Sequence, residues 1–134
     1  MPRSITISLP VTDLAISKAF YTALGFTVNP NFPGDSAAFF SWSETINLVL
    51  LTHEKWSTFT TRPIPPKTSS EVGITISCES RAEVDEKNRL AAQYGGESDI
   101  NPVEDHGTMY GRDFTDPDGH VWGAMWLDAS AFDH

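Results

Sequence analysis

The sequence predicts an α+β protein made of two copies of one βαβββ unit, and three observations support this prediction. The letters Ile-Thr-Ile-Ser occur at residues 5–8 and again at residues 74–77. Each occurrence is followed by a helical pattern and then by a glycine that would end the helix, Gly25 and Gly95. Three strand patterns follow each glycine. Because strand, helix and terminating glycine recur at nearly one offset, we infer an internal duplication.

The first copy begins with a predicted strand at residues 5–11, where β-branched side chains alternate with other types. Pro10 has no backbone N–H, so it places this strand at a sheet edge or ends it. Asp13 is a candidate N-cap, and apolar residues recur after it at helical spacing as far as Leu24. Further strands are predicted at residues 26–31, 37–42 and 46–52.

A segment of different composition is predicted to connect the two copies. It is rich in Thr and Ser, and its three prolines disfavour the interior of a helix or a sheet. Its two aromatic residues, Trp56 and Phe59, would either cap a pocket or, as we favour, pin the connector to the core. The predicted organisation is a single domain, residues 1–134, with module one at 1–52, a linker at 53–70, module two at 71–128 and a tail at 129–134.

The second copy begins with a predicted strand at residues 72–78. Ser80 and Glu83 form a capping-box pattern, in which the hydroxyl and the carboxylate accept backbone N–H groups at the start of a helix. Strands are then predicted at residues 97–103, 108–114 and 120–127. Between the last two lies Asp-Pro-Asp-Gly, a turn in which Gly119 tolerates a positive φ.

Composition limits the classes of partner. Nine Lys and Arg against eighteen Asp and Glu give a formal net charge of −9, which repels phosphate groups, so we expect no nucleic-acid and no membrane partner. This charge either serves solubility or gives an acidic cleft that attracts a cationic small molecule. With no apolar run near the roughly 18 residues of a membrane span, and no signal-peptide core, we expect a cytoplasmic protein. The single cysteine, Cys78, is expected to be a packed thiol.

The chain resembles the vicinal oxygen chelate superfamily, which includes glyoxalase I, extradiol dioxygenases, fosfomycin-resistance enzymes and bleomycin-resistance proteins. The resemblance rests on the paired modules and on three segments: Leu-Pro-Val-Thr-Asp-Leu at 9–14, Phe-Tyr-Thr-Ala-Leu-Gly-Phe at 20–26, and Asp-Pro-Asp-Gly-His-Val-Trp at 116–122. It implies two modules related by a pseudo-twofold axis around a cleft, and a homodimer. These motifs identify a fold and leave the reaction open.

The resemblance implies that, in the metal-dependent members, ligands on the first, fourth, fifth and eighth strands hold a divalent ion. A substrate chelates this ion through two oxygens. The corresponding positions here fall on Thr6, on Leu50 or Leu48, on Gly73 or Thr75, and on Gly123. None of these is a His or a Glu, so we expect no metal cofactor. The Glu104, Asp105 and His106 cluster is interpreted as a solvated loop.

Strand alternation predicts which side chains face the cleft. The inward set is Thr6, Ser8, Leu48, Leu50, Gly73, Thr75, Ser77, Val121, Gly123 and Met125. Candidates for the rim are Phe39, Tyr110, Arg112 and Trp122. Arg112 could instead form a salt bridge with Asp113 or Asp116 and so steady the hairpin.

Three function classes remain open. The first is a metal-free binding protein of the bleomycin-resistance type, a homodimer whose clefts hold an aromatic or cationic compound. The second is a glyoxalase- or dioxygenase-like enzyme with a non-standard metal site, or with metal-free acid–base chemistry by Tyr110, His120 or Glu104. The third is a dimerisation or regulatory platform whose cleft is filled by side chains.

Overall fold

The structure is a computed structural model that describes residues 2–31 and 34–132. The chain divides into two compact units, residues 1–66 and 67–134, at a point inside the predicted linker. None of the helices in the described part of the chain is long and apolar enough to cross a membrane. Of the predicted tail, residues 129–132 form a short 3₁₀ helix, Ala129–Phe132, and the last two lie outside the described residues.

The first unit contains one four-stranded sheet and one long helix. Its elements are β1 (Ile5–Val11), α1 (Leu14–Leu24), β2 (Thr27–Val28), β3 (Ala37–Ser41), β4 (Ile46–Thr52) and α2 (His53–Trp56). The strand order is β1-β4-β3-β2, with β1 parallel to β4 and the other pairs antiparallel. Pro10 therefore lies in an edge strand, as its missing N–H predicted.

The second unit repeats this arrangement. Its elements are β5 (Gly73–Ser77), α3 (Arg81–Gln93), β6 (Glu104–Asp105), β7 (Met109–Thr115) and β8 (Val121–Leu127). The strand order is β5-β8-β7-β6, again with one parallel pair, β5 and β8. The predicted α+β class with two βαβββ modules is confirmed.

Local side-chain contacts start and end the long helices. The Asp13 carboxylate accepts a hydrogen bond from Ile16 N at 3.1 Å, and Gly25, at φ 112°, ends α1. At α3, Ser80 Oγ accepts from Glu83 N at 3.1 Å. The carboxylate of Glu83 accepts from Glu79 N, one residue before the expected N–H of Ser80. Both predicted helix starts are confirmed.

Two predicted strands and one predicted contact of the linker are wrong. The predicted strand at 26–31 is only two residues long in the sheet, Thr27–Val28. No strand spans residues 97–103, because Asp99 has a φ of 51° there and cannot continue an extended chain. The predicted linker begins with α2, and Phe59 is 69% exposed, so it does not pin the linker to a core.

Each long helix packs against one face of its own sheet. In the first unit Tyr21 of α1 is fully buried, with its ring 6.4 Å from that of Phe40 in β3. In the second unit α3 packs on β7 and β8, where Phe114 and Trp122 are fully buried. The opposite face of each sheet, which its own helix does not cover, is called the helix-free face below.

The turn between β7 and β8 depends on a buried carboxylate and a close backbone approach. Asp116 is 1% exposed, and its Oδ1 accepts hydrogen bonds from Asp118 N and His120 N at 2.9 and 2.8 Å. Gly119 has a φ of 85°, and a Cβ at this position would lie 2.3 Å from the carbonyl oxygen of Lys67. The turn therefore excludes any side chain at residue 119.

Replacement of Gly119 tests this packing. Gly119→Ala should destabilise the protein more than Gly107→Ala, because Gly107 also has a positive φ, 79°, but has no atom within 4 Å of an added Cβ. The left-handed conformation alone costs about 1–2 kcal/mol with a Cβ, and the displaced Lys67 backbone adds about 1–3 kcal/mol. Urea denaturation of both variants measures the difference. Equal losses would contradict the close approach to Lys67.

Candidate functional site

Strand register shows which residues of the first sheet share its helix-free face. Thr6 lies opposite Asn47 and Ser8 opposite Val49, and partners in neighbouring strands point to the same side. Leu48 lies opposite Phe40, whose ring contacts Tyr21 of α1. Leu48 and Leu50 are therefore on the face that α1 covers.

The prediction that Leu48 and Leu50 share a face with Thr6 is wrong. They are 1% and 0% exposed and form part of the core beneath α1. The fourth-strand position that faces the same way as Thr6 is Asn47, followed by Val49.

A pocket of about 210 Å³ lies on the helix-free face of the first sheet. Its polar groups come from three strands, β1, β3 and β4, and from the turn after β2, and an aromatic residue, Phe39, lies among them. The lining residues are Thr6, Asn29, Phe39, Phe40, Ser41, Asn47 and Val49. Of the predicted site residues in this unit, the structure brings Thr6 and Phe39 together, and it leaves Ser8 outside the pocket lining.

The predicted alternation in the second sheet is confirmed. Thr75 lies opposite Gly123, and Gly73 and Ser77 lie opposite Val121 and Met125. All six residues share the helix-free face.

The helix-free face of the second sheet also carries a carboxylate that sequence reasoning considered only as a partner of Arg112. Asp113 lies opposite Gly123, and a Cβ on Gly123 would be 2.7 Å from Asp113 Oδ1 and 3.3 Å from Thr75 Oγ1. Asn101 Nδ2 donates to Asp113 Oδ2 at 2.9 Å. The space where the family's eighth-strand ligand would stand is therefore taken by Asp113. This contact could have been predicted from the pairing of β7 with β8, which places Asp113 opposite Gly123.

Three predicted rim residues lie on the other face of the second sheet. Tyr110, Arg112 and Trp122 are directed to the side that α3 covers, opposite to Gly123. Trp122 is 1% exposed, so it is a core residue and its assignment to a rim is wrong. Its large apolar surface is what α3 packs against.

Arg112 forms salt bridges with two carboxylates, neither of which was expected. Its guanidinium donates to Asp99 at 2.6 and 3.0 Å and to Asp85 at 2.9 Å, where Asp113 and Asp116 were the predicted partners. The hydroxyl of Tyr110 donates to Asp85 as well. Arg112 thus joins β7 to α3 and to the loop that follows it.

These contacts shift the pKa values of the groups involved. The hydrogen bond from Tyr110, and then that from Arg112, hold the pKa of Asp85 below its ordinary value. Hydrogen bonds from Arg112 likewise lower the pKa of Asp99. The bond to Asp85 raises the pKa of Tyr110, which makes the phenol a weaker acid than an ordinary tyrosine. Glu104, another of the candidates for acid–base chemistry, shares a face with Gly111, opposite to that of Tyr110.

A second arginine, Arg81, contacts the same face of the second sheet. Arg81 lies over the rings of Tyr110 and Trp126, at 4.9 and 5.3 Å from their centroids. It donates to both carboxylate oxygens of Asp105, which lowers the pKa of Asp105 to about 2. Asp105 therefore forms an ion pair with the first residue of α3. It is exposed to solvent, as predicted, but it lies in the short strand β6 and not in a loop.

The family's metal positions carry side chains that do not fit a divalent-metal site. On the helix-free faces these positions hold Thr6, Asn47 or Val49, Gly73 or Thr75, and Gly123. The first sheet offers one hydroxyl and one amide, and the second adds the Asp113 carboxylate beside Gly123. A divalent-metal site uses at least three protein ligands, chiefly imidazole, thiolate or carboxylate, so neither sheet supplies a suitable donor set. Within residues 2–31 and 34–132, no group of three His, Cys, Asp or Glu side chains could hold a metal ion.

Cys78 follows β5 and is half-buried. Burial, reinforced by Glu83, raises its pKa to about 11. The thiol is therefore protonated at neutral pH, and this makes it a poor nucleophile.

Replacement of Arg112 tests the role of its ion pairs. Arg112→Gln should lower the free energy of unfolding at pH 7, and the difference from wild type should shrink as the pH falls below about 4. The sign follows because Asp85 and Asp99 have lowered pKa values when folded, so their stabilisation is present above the unfolded pKa and is lost on protonation. Urea denaturation between pH 7 and pH 3 measures this.

The control is Arg89→Gln, which removes a pair with Glu86 whose side chains are 58% and 50% exposed. Exposed pairs contribute little, so this loss should be small. An Arg112→Gln effect that equals the control, or that does not change with pH, would contradict the assignment.

Comparisons with known proteins place the fold. Residues 3–43 match the family model for the bleomycin resistance protein-like N-terminal region. No curated protein matches the sequence significantly.

Solved structures match over nearly the whole chain. Hypothetical protein SA1046 from S. aureus is 24% identical with a TM-score of 0.78, over 95% of each chain. A glyoxalase/bleomycin resistance protein/dioxygenase family enzyme from Burkholderia phytofirmans PsJN is 15% identical with a TM-score of 0.73, over 91% of this chain and 96% of that one. Fosfomycin resistance protein FosX from Mesorhizobium loti is 14% identical with a TM-score of 0.67, over 98% of each. At these identities the similarity establishes the fold.

The resemblance inferred from the sequence motifs is thus confirmed: the chain has the fold of the vicinal oxygen chelate superfamily, and its residues 3–43 carry the N-terminal pattern of the bleomycin resistance protein-like family.

Proposed function

We propose that this protein binds a small organic molecule on the helix-free face of its first sheet, and that it does so without a metal ion. The observation that carries the proposal is the chemistry of the pocket lining. The seven lining residues supply hydroxyl groups, amides and an aromatic ring, but no carboxylate, imidazole, thiol or amine. A pocket of this kind can hold and orient a ligand, but it lacks a general acid or base.

The position of the family match supports the same region. Residues 3–43 include β1, α1, β2 and β3, and this segment supplies five of the lining residues, four from β1 and β3 and one from the turn after β2: Thr6, Phe39, Phe40, Ser41 and Asn29. Relatives with this fold include proteins named for resistance to bleomycin or fosfomycin. Binding of a small molecule is the property that we carry over to this chain, without the identity of the molecule.

The metal positions support binding over metal-assisted catalysis. A chelated substrate needs an ion held by at least three donors with open positions. Thr6 and Asn47 offer a hydroxyl and an amide at the two positions of the first sheet, and Gly123 offers no side chain at all. Since Asp113 Oδ1 lies 2.7 Å from where a Cβ of residue 123 would stand, a ligand side chain cannot be restored there without displacing Asp113.

Metal analysis and a matched pair of variants test the proposal. Protein purified without chelators should contain less than about 0.1 equivalent of Ni, Zn, Fe or Mn. A panel of one-ring aromatic compounds should include some that raise the melting temperature of the wild type. Thr6→Phe should abolish this rise, because the new ring fills the pocket. Ser8→Phe should retain it, because Ser8 is the next helix-free position of β1 and lies outside the lining.

Two results would contradict the proposal. One is a divalent metal bound in a one-to-one ratio, which would favour an enzyme with a non-standard metal site. The other is an equal ligand-induced rise in Thr6→Phe and in wild type, which would move the binding site away from this pocket.

A further inference from the structure

We infer that the pocket of the first sheet selects a neutral ligand through an acceptor oxygen, such as the carbonyl of an aromatic ketone, and that it rejects a cation. This inference rests on the proposed binding function and names its ligand class. It also replaces the cationic ligand that net charge alone suggested. The basis is the direction in which two pocket amides, Asn29 and Asn47, are already hydrogen-bonded.

The pocket floor consists of two rows of side chains that run across the strands. In the first row Thr6, Asn47 and Ser41 are register partners on β1, β4 and β3. In the second row Val49 and Phe39 are partners, and Asn29 N donates to Phe39 O at 2.7 Å, which extends the row past the end of β2. Each row therefore contributes one asparagine to the pocket.

The amide oxygen of Asn29 is used within its own turn. Asn29 Oδ1 accepts a hydrogen bond from Asn31 N at 2.9 Å. A backbone N–H can only donate, so this contact fixes which end of the amide is oxygen. The NH₂ group of Asn29 is thereby left with its two N–H donors, and no group within residues 2–31 and 34–132 accepts from it.

The structure also places the amide oxygen of Asn47 toward a hydrogen-bond partner, although this partner is a hydroxyl, which can donate or accept and does not by itself fix the amide. Ser41 Oγ donates to Asn47 Oδ1 at 3.3 Å, across the first row. The NH₂ group of Asn47 then has no acceptor in the described part of the chain. Two amide donors thus line one pocket, and their two oxygens are already engaged. Asn29 and Asn47 are half-buried, so water can hydrate their NH₂ groups, and a ligand oxygen that meets one of these groups takes the place of that water.

The charge of the lining decides between a neutral and an ionic acceptor. The lining contains no Lys, Arg or His and no Asp or Glu. A ligand carboxylate or ammonium group would lose water on entering and find no counter-ion, whereas a carbonyl loses much less. An ammonium group would in addition meet two N–H donors. The lining therefore favours a carbonyl oxygen over either ion.

Size and shape limit the rest of the ligand. The pocket of about 210 Å³ is smaller than the roughly 300–1,000 Å³ of pockets for drug-sized molecules. Phe39 and Val49 lie side by side in the second row and offer an apolar surface to a flat group. A single aromatic ring that bears a carbonyl fits this combination.

Three one-ring probes that differ in charge test the inference: acetophenone, benzoate and benzylammonium. Each is titrated into ¹⁵N-labelled protein at pH 7, and the backbone amide signals of Asn29, Phe39 and Asn47 are followed. Acetophenone should shift these signals and bind at least tenfold more tightly than benzylammonium or benzoate.

Isosteric variants test the role of the two donors. Asn29→Asp and Asn47→Asp keep the acceptor for Asn31 N–H and for the Ser41 hydroxyl, but replace NH₂ by an anionic oxygen. Each should weaken acetophenone binding at least tenfold and strengthen benzylammonium binding. Asn31→Asp adds the same charge outside the pocket lining and should leave the affinity for acetophenone unchanged.

Several outcomes would overturn the inference. They are equal or tighter binding of benzylammonium or benzoate by the wild type, unchanged selectivity in both Asp variants, and the absence of pocket shifts with all three probes. None of these depends on the metal content or on the Thr6→Phe and Ser8→Phe comparison, so metal-free binding can stand while the ligand class fails.

Discussion

Each sheet has two faces and only one long helix to cover them, and this constraint determines where a ligand can bind. In the first unit α1 buries Phe20, Tyr21 and Leu24 against Leu48 and Leu50. Burial of such side chains is the main stabilising term in a small unit. The opposite face is left with Thr6, Ser8 and Ser41, all exposed. Binding groups are therefore confined to one side of each sheet by the packing requirement of the other.

The two units satisfy this constraint with different chemistry, although they share one topology. Aromatic side chains hold α1, where Tyr21 meets Phe20 and Phe26 edge to face at 5.0 and 5.5 Å. The helix α3 has the smaller Val84 and Ala91 at its buried positions. Salt bridges supplement this smaller apolar contact, because Arg112 of β7 pairs with Asp85 of α3 and with Asp99 of the loop that follows α3. The duplicated unit has thus kept its backbone while its contacts have diverged.

Sequence patterns predicted the elements where a local signal exists. Asp13, Ser80 and Gly25 act within four residues of their own position, so the helix ends could be read directly. The face of β4 could not be read, because its residues on both sides are apolar and at most 8% exposed from Leu48 to Leu51. A strand that is buried on both faces shows no alternation, and an error of one residue then reverses every assignment.

The candidate site was also only partly predictable, because most of its contacts join residues that are far apart in the sequence. Gly73, Thr75 and Gly123 were assigned to the correct face because small residues break the apolar run in β5 and β8. The partners of Arg112 lie on α3 and in a loop, far from β7 in sequence, and nothing local identifies them. The pocket amides escaped notice because Asn29 lies in a turn and Asn47 in an apolar strand. Only the register brings them onto one face with Thr6.

The central claim is that the helix-free face of the first sheet binds a small molecule, and that no metal ion is held at the positions to which the resemblance assigns metal ligands. The most direct measurement is a titration of ¹⁵N-labelled protein with Mn²⁺, whose unpaired electrons broaden the signals of nearby amides. We predict no selective broadening at Thr6, Asn47, Thr75 and Gly123 at one equivalent of Mn²⁺. Selective loss of these four signals at substoichiometric Mn²⁺ would contradict the account.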